Sequence, residues 1–64
     1  MSRLEQITER LQQITERLLA ITTELGEPEL EDERAAQLTR EAAELSSEAS
    51  QEVDRALREA SEDE

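Results

Sequence analysis

The sequence contains no cysteine, histidine, lysine or aromatic residue, and only one glycine and one proline. Each absence removes a class of structure or chemistry. Without cysteine there are no disulfide staples and no thiolate metal sites, and the redox compartment cannot be read. Without His, Cys, Lys or Tyr, no side chain is suited to act as nucleophile, general base or Schiff-base former near neutral pH. Catalysis by the chain alone is therefore not expected. Without aromatics, any core must be assembled from Leu, Ile, Val and Ala. No apolar run approaches the ~20 residues of a membrane span, and no hydrophobic leader region follows the N-terminus. A soluble cytoplasmic protein is the expectation.

What is present is mostly charge. Of 64 residues, 39% are charged, and the formal net charge is -11. A chain this short is one domain, near the lower limit for folding alone. Its charges are interleaved with apolar residues at heptad spacing, which points to solvated helix faces and not to disorder. The negative field opposes binding to nucleic-acid phosphates or to an anionic membrane surface, so neither is an expected partner. The 7 basic residues are all arginine, a usage expected of a GC-rich genome or a salt-adapted source.

The apolar residues begin with a repeat. From Leu4 the chain reads LEQITER, LQQITER and LLAITTE, and then Leu25. Leu4, Leu11, Leu18 and Leu25 fall at heptad position a, and Ile7, Ile14 and Ile21 at d. Leu at a with Ile at d shifts parallel coils away from the dimer and toward tetramers. Ser2, with Glu5 three places on, matches a capping box. Gly26-Glu27-Pro28 then breaks the period: Gly26 suits a left-handed helix end, and Pro28 suits the first position of the next helix. So short a connection predicts antiparallel neighbours. Helix 1 is expected over about 3–25, the turn over 26–28 and helix 2 over about 28–60. Residues 61–64 are expected to be a disordered acidic tail.

Helix 2 has a different seam, Ala35, Leu38, Ala42, Leu45 and Ala49. Antiparallel alignment pairs Ile21 with Ala35, Leu18 with Leu38, Ile14 with Ala42, Leu11 with Leu45 and Ile7 with Ala49. The same register sets Glu24 opposite Arg34, Arg17 opposite Glu41 and Arg10 opposite Glu48, each pair opposite in sign. Such exposed pairs contribute ~0.2–1 kcal/mol each, so they select register more than they stabilise. At the far end the register sets Leu4 against Glu52 and Arg3 against Arg55. A stutter that brings in Val53 as the last core residue is expected there. Ala56, Leu57 and Ala60 keep helical spacing beyond the reach of helix 1, which helix 2 overshoots by roughly 10 Å.

A lone hairpin of this size is marginal, since ordering about 55 residues costs ~1.5 kcal/mol each while its aliphatic side chains are only partly buried. A second hairpin would supply cover. Thr8, Thr15, Thr22, Ala36, Thr39, Ala43, Ser46 and Ser50 form a small, uncharged flank opposite the charged one. Leu19 and Leu57 lie beside it at outward positions. This flank is the expected oligomer or partner face. The expected fold class is all-α: an antiparallel helical hairpin that dimerises to a four-helix bundle.

No site for chemistry emerges. Ser46, Ser47 and Ser50 have no basic partner, and Glu41, Glu44 and Glu48, like Glu29 and Glu33, read as a solvated charged face. No catalytic, metal or cofactor-binding residue is assigned. The size, hairpin plan, Ala/Leu layers and acidic C-terminus resemble the Rop family of four-helix-bundle regulators, though the chain lacks that family's basic RNA-binding face. Leu25-Gly26-Glu27-Pro28-Glu29-Leu30-Glu31 resembles the Gly-Glu-Leu-x-Leu-Glu loop of the exonuclease VII small subunit. That family's following aromatic and glycine positions have no counterpart in residues 34–45. Glu33, Gln37, Arg40, Glu44 and Glu48 share the spacing, and two of the residue types, of the motif with which actinobacterial anti-sigma hairpins hold cyclic di-GMP. The expected function is a non-enzymatic assembly or regulatory module acting through self-association. The alternative is a small accessory or anti-sigma-like subunit docking on a larger protein through residues 53–60.

Overall fold

A computed structural model describes residues 2–62 of the chain. Two helices make up the fold, α1 (Arg3–Leu25) and α2 (Asp32–Glu62), packed side by side as an antiparallel hairpin. The molecule is a rod of 52 × 17 × 13 Å. Its α1 begins as the sequence implies: the Glu5 amide donates to Ser2 Oγ at 3.1 Å, and that hydroxyl donates in turn to Glu5 Oε1 at 3.3 Å. Ser2 thereby satisfies one of the amides that the first helical turn leaves without a partner.

The seam follows the heptad. Ile7, Ile14 and Ile21 are buried on α1, and Leu38 is completely buried on α2. Leu11, Leu18, Ala35, Ala42, Leu45 and Ala49 are half-buried beside them. The isoleucines thus point straight at α2, while the leucines form a second row turned toward one flank. Leu4 and Leu25, the ends of that row, stay 42% and 40% exposed, because no layer of the hairpin lies beyond them to cover them.

The connection differs from expectation in two places. Gly26 is not left-handed: its φ is -81° and its ψ is -3°, and its amide is shared between the carbonyls of Thr22 and Thr23, each at 3.2 Å. The helix therefore ends in a right-handed turn, and an added Cβ would come no nearer than 3.5 Å to the Thr23 carbonyl. Pro28 does not open α2 either. The Leu30 amide donates to the Glu27 carbonyl at 3.3 Å, which makes Glu27 to Leu30 a turn with proline at its second position. That position needs the φ that proline already has. The first bond of α2 runs from the Ala35 amide to the Glu31 carbonyl at 2.9 Å, so the helix starts four residues later than the sequence suggests. Asp32 and Glu33 fall in its first turn, where the helix dipole favours acids.

The open end also departs from the reading. Val53 is 48% exposed and is not a core residue; Glu52 takes the seam place and is buried. The heptad runs through without a stutter. Re-aiming α2 to bury Val53 would gain little, because α1 ends at this level and offers only the half-exposed Leu4. Glu52 is tolerated there because Arg55, one turn along, reaches its Oε1 at 3.4 Å. The final turn stays helical through Ser61 and Glu62; of the expected tail, Asp63 and Glu64 lie outside the described residues.

Candidate association surface

The hairpin has two long flanks, one on each side of the seam, and they are chemically unlike. On the first, α1 and α2 are bridged at three successive levels. Arg34 donates through Nε and Nη2 to the two oxygens of Glu24, at 2.5 and 3.1 Å. Arg17 does the same to Glu41 at 2.5 and 2.7 Å. Arg10 donates to Glu48 and also reaches the side chain of Gln13 at 3.1 Å. These are the three pairs the register requires, and the upper two are two-pronged forks. The hydrogen bond from Arg34 holds the Glu24 carboxyl below the usual range, and that from Arg17 does the same for Glu41. The guanidinium groups of Arg17 and Arg34 are raised by the same bonds.

The second flank carries the leucine row of α1, Thr8, Thr15 and Thr22, and from α2 Ala36, Thr39, Ala43, Ser46 and Ser50. Leu19 is 64% exposed here and Leu57 62% exposed, and Val53 joins them. Few ionisable side chains touch this strip: Glu5 lies on it and Glu16 borders its groove, in a chain that is 39% charged. Its threonines are less polar than their names suggest. The hydroxyls of Thr8, Thr15, Thr22 and Thr39 each donate at 2.9 Å to the carbonyl one turn back, on Leu4, Leu11, Leu18 and Ala35. The donor is thus already satisfied within the helix, and covering the side chain would strand no hydrogen. A shallow groove between Thr8, Leu11, Gln12, Thr15 and Glu16 runs along the strip.

A third feature, at the open end of the first flank, was not read from the sequence. An open cleft of about 750 Å³ is lined by Arg3, Arg10, Arg55 and Arg58 together with Glu48, Glu52 and Glu59. The like-charged encounter of Arg3 with Arg55 is relieved by acids from α2: Arg3 pairs with Glu59 at 3.0 Å and Arg55 with Glu52 at 3.4 Å. The spacing of Arg55, Arg58 and Glu59 along α2 was the available signal, and the expected stutter obscured it. With three carboxylates already among its arginines the cleft is nearly self-neutralised, so it seals the end of the seam and leaves little charge for a ligand.

Among the described residues no side-chain nitrogen or oxygen is buried without a partner, and no group of three or more acids is placed to hold a metal ion. No described helix is long and apolar enough to cross a membrane. Compared with protein-family models, curated proteins and solved structures, the chain matches none.

Proposed function

We propose that the protein is a non-enzymatic assembly or regulatory module whose second flank docks on a second copy of the chain, two hairpins making a four-helix bundle. The observation that carries this reading is surface area. The chain exposes 5058 Å², whereas a compact monomer of 7.3 kDa exposes about 4,200 Å². The surplus is roughly 900 Å², close to the ~800 Å² that one partner contributes to a standard interface. That excess is matched by a strip of the right character: exposed Leu4, Leu19, Leu25, Val53 and Leu57, small residues between them, and threonines with their hydroxyls turned inward. The second copy, and not an unrelated protein, is the chosen occupant because the strip is nearly free of charge. Two chains of net charge -11 can meet there and keep their acids on the outer faces.

Sedimentation equilibrium combined with circular dichroism of the purified chain tests this. A helical species of twice the chain mass is the expected result. A monomer would overturn it, and a poorly helical monomer would favour the other occupant, a larger protein that covers Val53 and Leu57 and orders the chain on binding.

A further inference from the structure

We propose that the two hairpins lie antiparallel, with the loop of each copy beside the open end of the other. The inference rests on the reading that the uncharged flank receives a second copy, and it adds which way that copy points. Two-fold symmetry permits two arrangements across a flank. An axis running along the helices makes the hairpins parallel and sets α1 of one copy against α2 of the other. An axis running across them makes the hairpins antiparallel and sets α1 on α1 and α2 on α2.

Three independent observations select the second. The first is the size profile of the α2 strip, which is small near the loop (Ala36, Thr39, Ala43) and large at the open end (Val53, Leu57). Turned about Ser46, the strip is complementary to itself. Leu57 meets the partner's Ala36, Val53 meets the partner's Thr39, and Ser50 meets the partner's Ala43. The largest side chain of the strip, Leu57, then lies over one of the smallest, Ala36. The layers between join side chains of similar, modest size, which lets the helices close without a void or a clash at the ends.

The second observation is the overshoot. Leu57 is 62% exposed and lies on α2 past the level at which α1 begins at Arg3. In the parallel arrangement it would face the space beyond the end of the partner's α1 and stay wet. In the antiparallel arrangement it faces the first turns of the partner's α2, and is covered.

The third is charge. Glu24, Glu27, Glu29, Glu31, Asp32 and Glu33 crowd the loop end, with Arg34 the nearest base. At the open end Arg3, Arg10, Arg55 and Arg58 are interleaved with Glu48, Glu52 and Glu59, so acids there are largely offset, as those of the loop are not. Parallel hairpins would set two acidic loops side by side at about the 8–10 Å of packed helices, close to the ~8 Å over which salt screens charge, so their repulsion would be only partly screened. Antiparallel hairpins hold the two acidic loops tens of ångströms apart and relieve that repulsion.

The chain has no cysteine, so Asp32→Cys carries a single spin label at the exposed start of α2. Sample mass and the label-to-label distance are read together. The expected result is a dimer with its labels about 40 Å apart, twice the rise from Asp32 to Ser46. A dimer with labels closer than about 25 Å is the parallel arrangement, and overturns the orientation while leaving self-association intact. A labelled chain that sediments as a monomer, as the unlabelled chain then also must, overturns both.

Discussion

The two flanks of this hairpin are made of the same helices at the same levels, yet one is filled with charge and the other almost emptied of it. The ion-paired flank joins α1 to α2 of one chain, and its residues alternate in sign so that a single register satisfies every level: Glu24 with Arg34, Arg17 with Glu41, Arg10 with Glu48. Its groups remain partly solvated, so it contributes selectivity more than energy. The uncharged flank offers α1 nothing more from α2. Its leucine row is only half covered, and its threonines have turned their hydroxyls back into the helix. One flank therefore specifies how a chain folds on itself, and the other leaves apolar surface that folding alone does not remove. A substitution on one should leave the property governed by the other largely intact.

The largest effect is expected from placing charge where there is none. Ala43→Glu puts a carboxylate near the centre of the uncharged strip, with its symmetry mate close by. An unpaired acid in a covered interface costs ~3–5 kcal/mol, so association should weaken by at least two orders of magnitude in sedimentation, with the ion pairs untouched. If the strip is simply solvated, the same change shifts stability by no more than ~0.5 kcal/mol and leaves the mass alone. That outcome would erase the distinction between the flanks.

The seam between the flanks provides the next test. Glu52 sits buried where Leu38 and Leu45 precede it at heptad spacing, and its partner Arg55 is on its own helix. Replacing a buried ionic group with a well-packed aliphatic one is neutral or stabilising, by up to ~4 kcal/mol. Glu52→Leu should therefore raise the thermal midpoint, by an amount equivalent to about 1 kcal/mol or more, through contact with Leu4. A lower midpoint would mean that the pair fixes the open end in a way leucine cannot. Gly26 belongs to neither flank. Its backbone is right-handed and an added methyl has room, so Gly26→Ala should stabilise folding by ~0.4–1 kcal/mol, by restricting the unfolded chain. Neither the mass nor the ion-pair coupling should follow.

What could be read in the sequence was whatever repeats. Period and sign together placed Ile7, Ile14, Ile21 and Leu38 in the seam and chose the ion-pair register, because each residue was constrained by several others at fixed spacing. Single residues at the ends were not so constrained. Val53 carries the right side chain for a core, but burial needs a surface opposite, and α1 runs out at that level. Pro28 fits the first turn of a helix and the second place of a tight turn equally well; the Leu30 amide bonding to Glu27 decides between them, and no spacing announces it. Gly26 was assigned a left-handed role because glycine commonly has one, yet its conformation is open to any residue. The threonine rotamers were likewise invisible, although they determine how polar the uncharged flank is.

The smallest effect concerns the charged flank and is the sharpest measure of what that flank does. Arg17→Glu should destabilise the hairpin, and adding Glu41→Arg should restore it, with a coupling of about 0.2–1 kcal/mol in a double-mutant cycle. The coupling should also depend on pH in a definite sense. Arg17 holds the Glu41 carboxyl below its ordinary range. A folded-state value lower than the unfolded one gives stability that is fully present above the unfolded value, and that drains away as pH falls through the folded one. The coupling should accordingly be constant near neutrality and vanish in acid, once Glu41 is protonated in both states. Total stability need not follow it, since acid also relieves the repulsion among the unpaired carboxylates, and only the cycle separates the two. A coupling that survived full protonation of Glu41 would show that the pair acts through packing of the arginine stem. The charged flank would then be a contact surface like the other and not a register device.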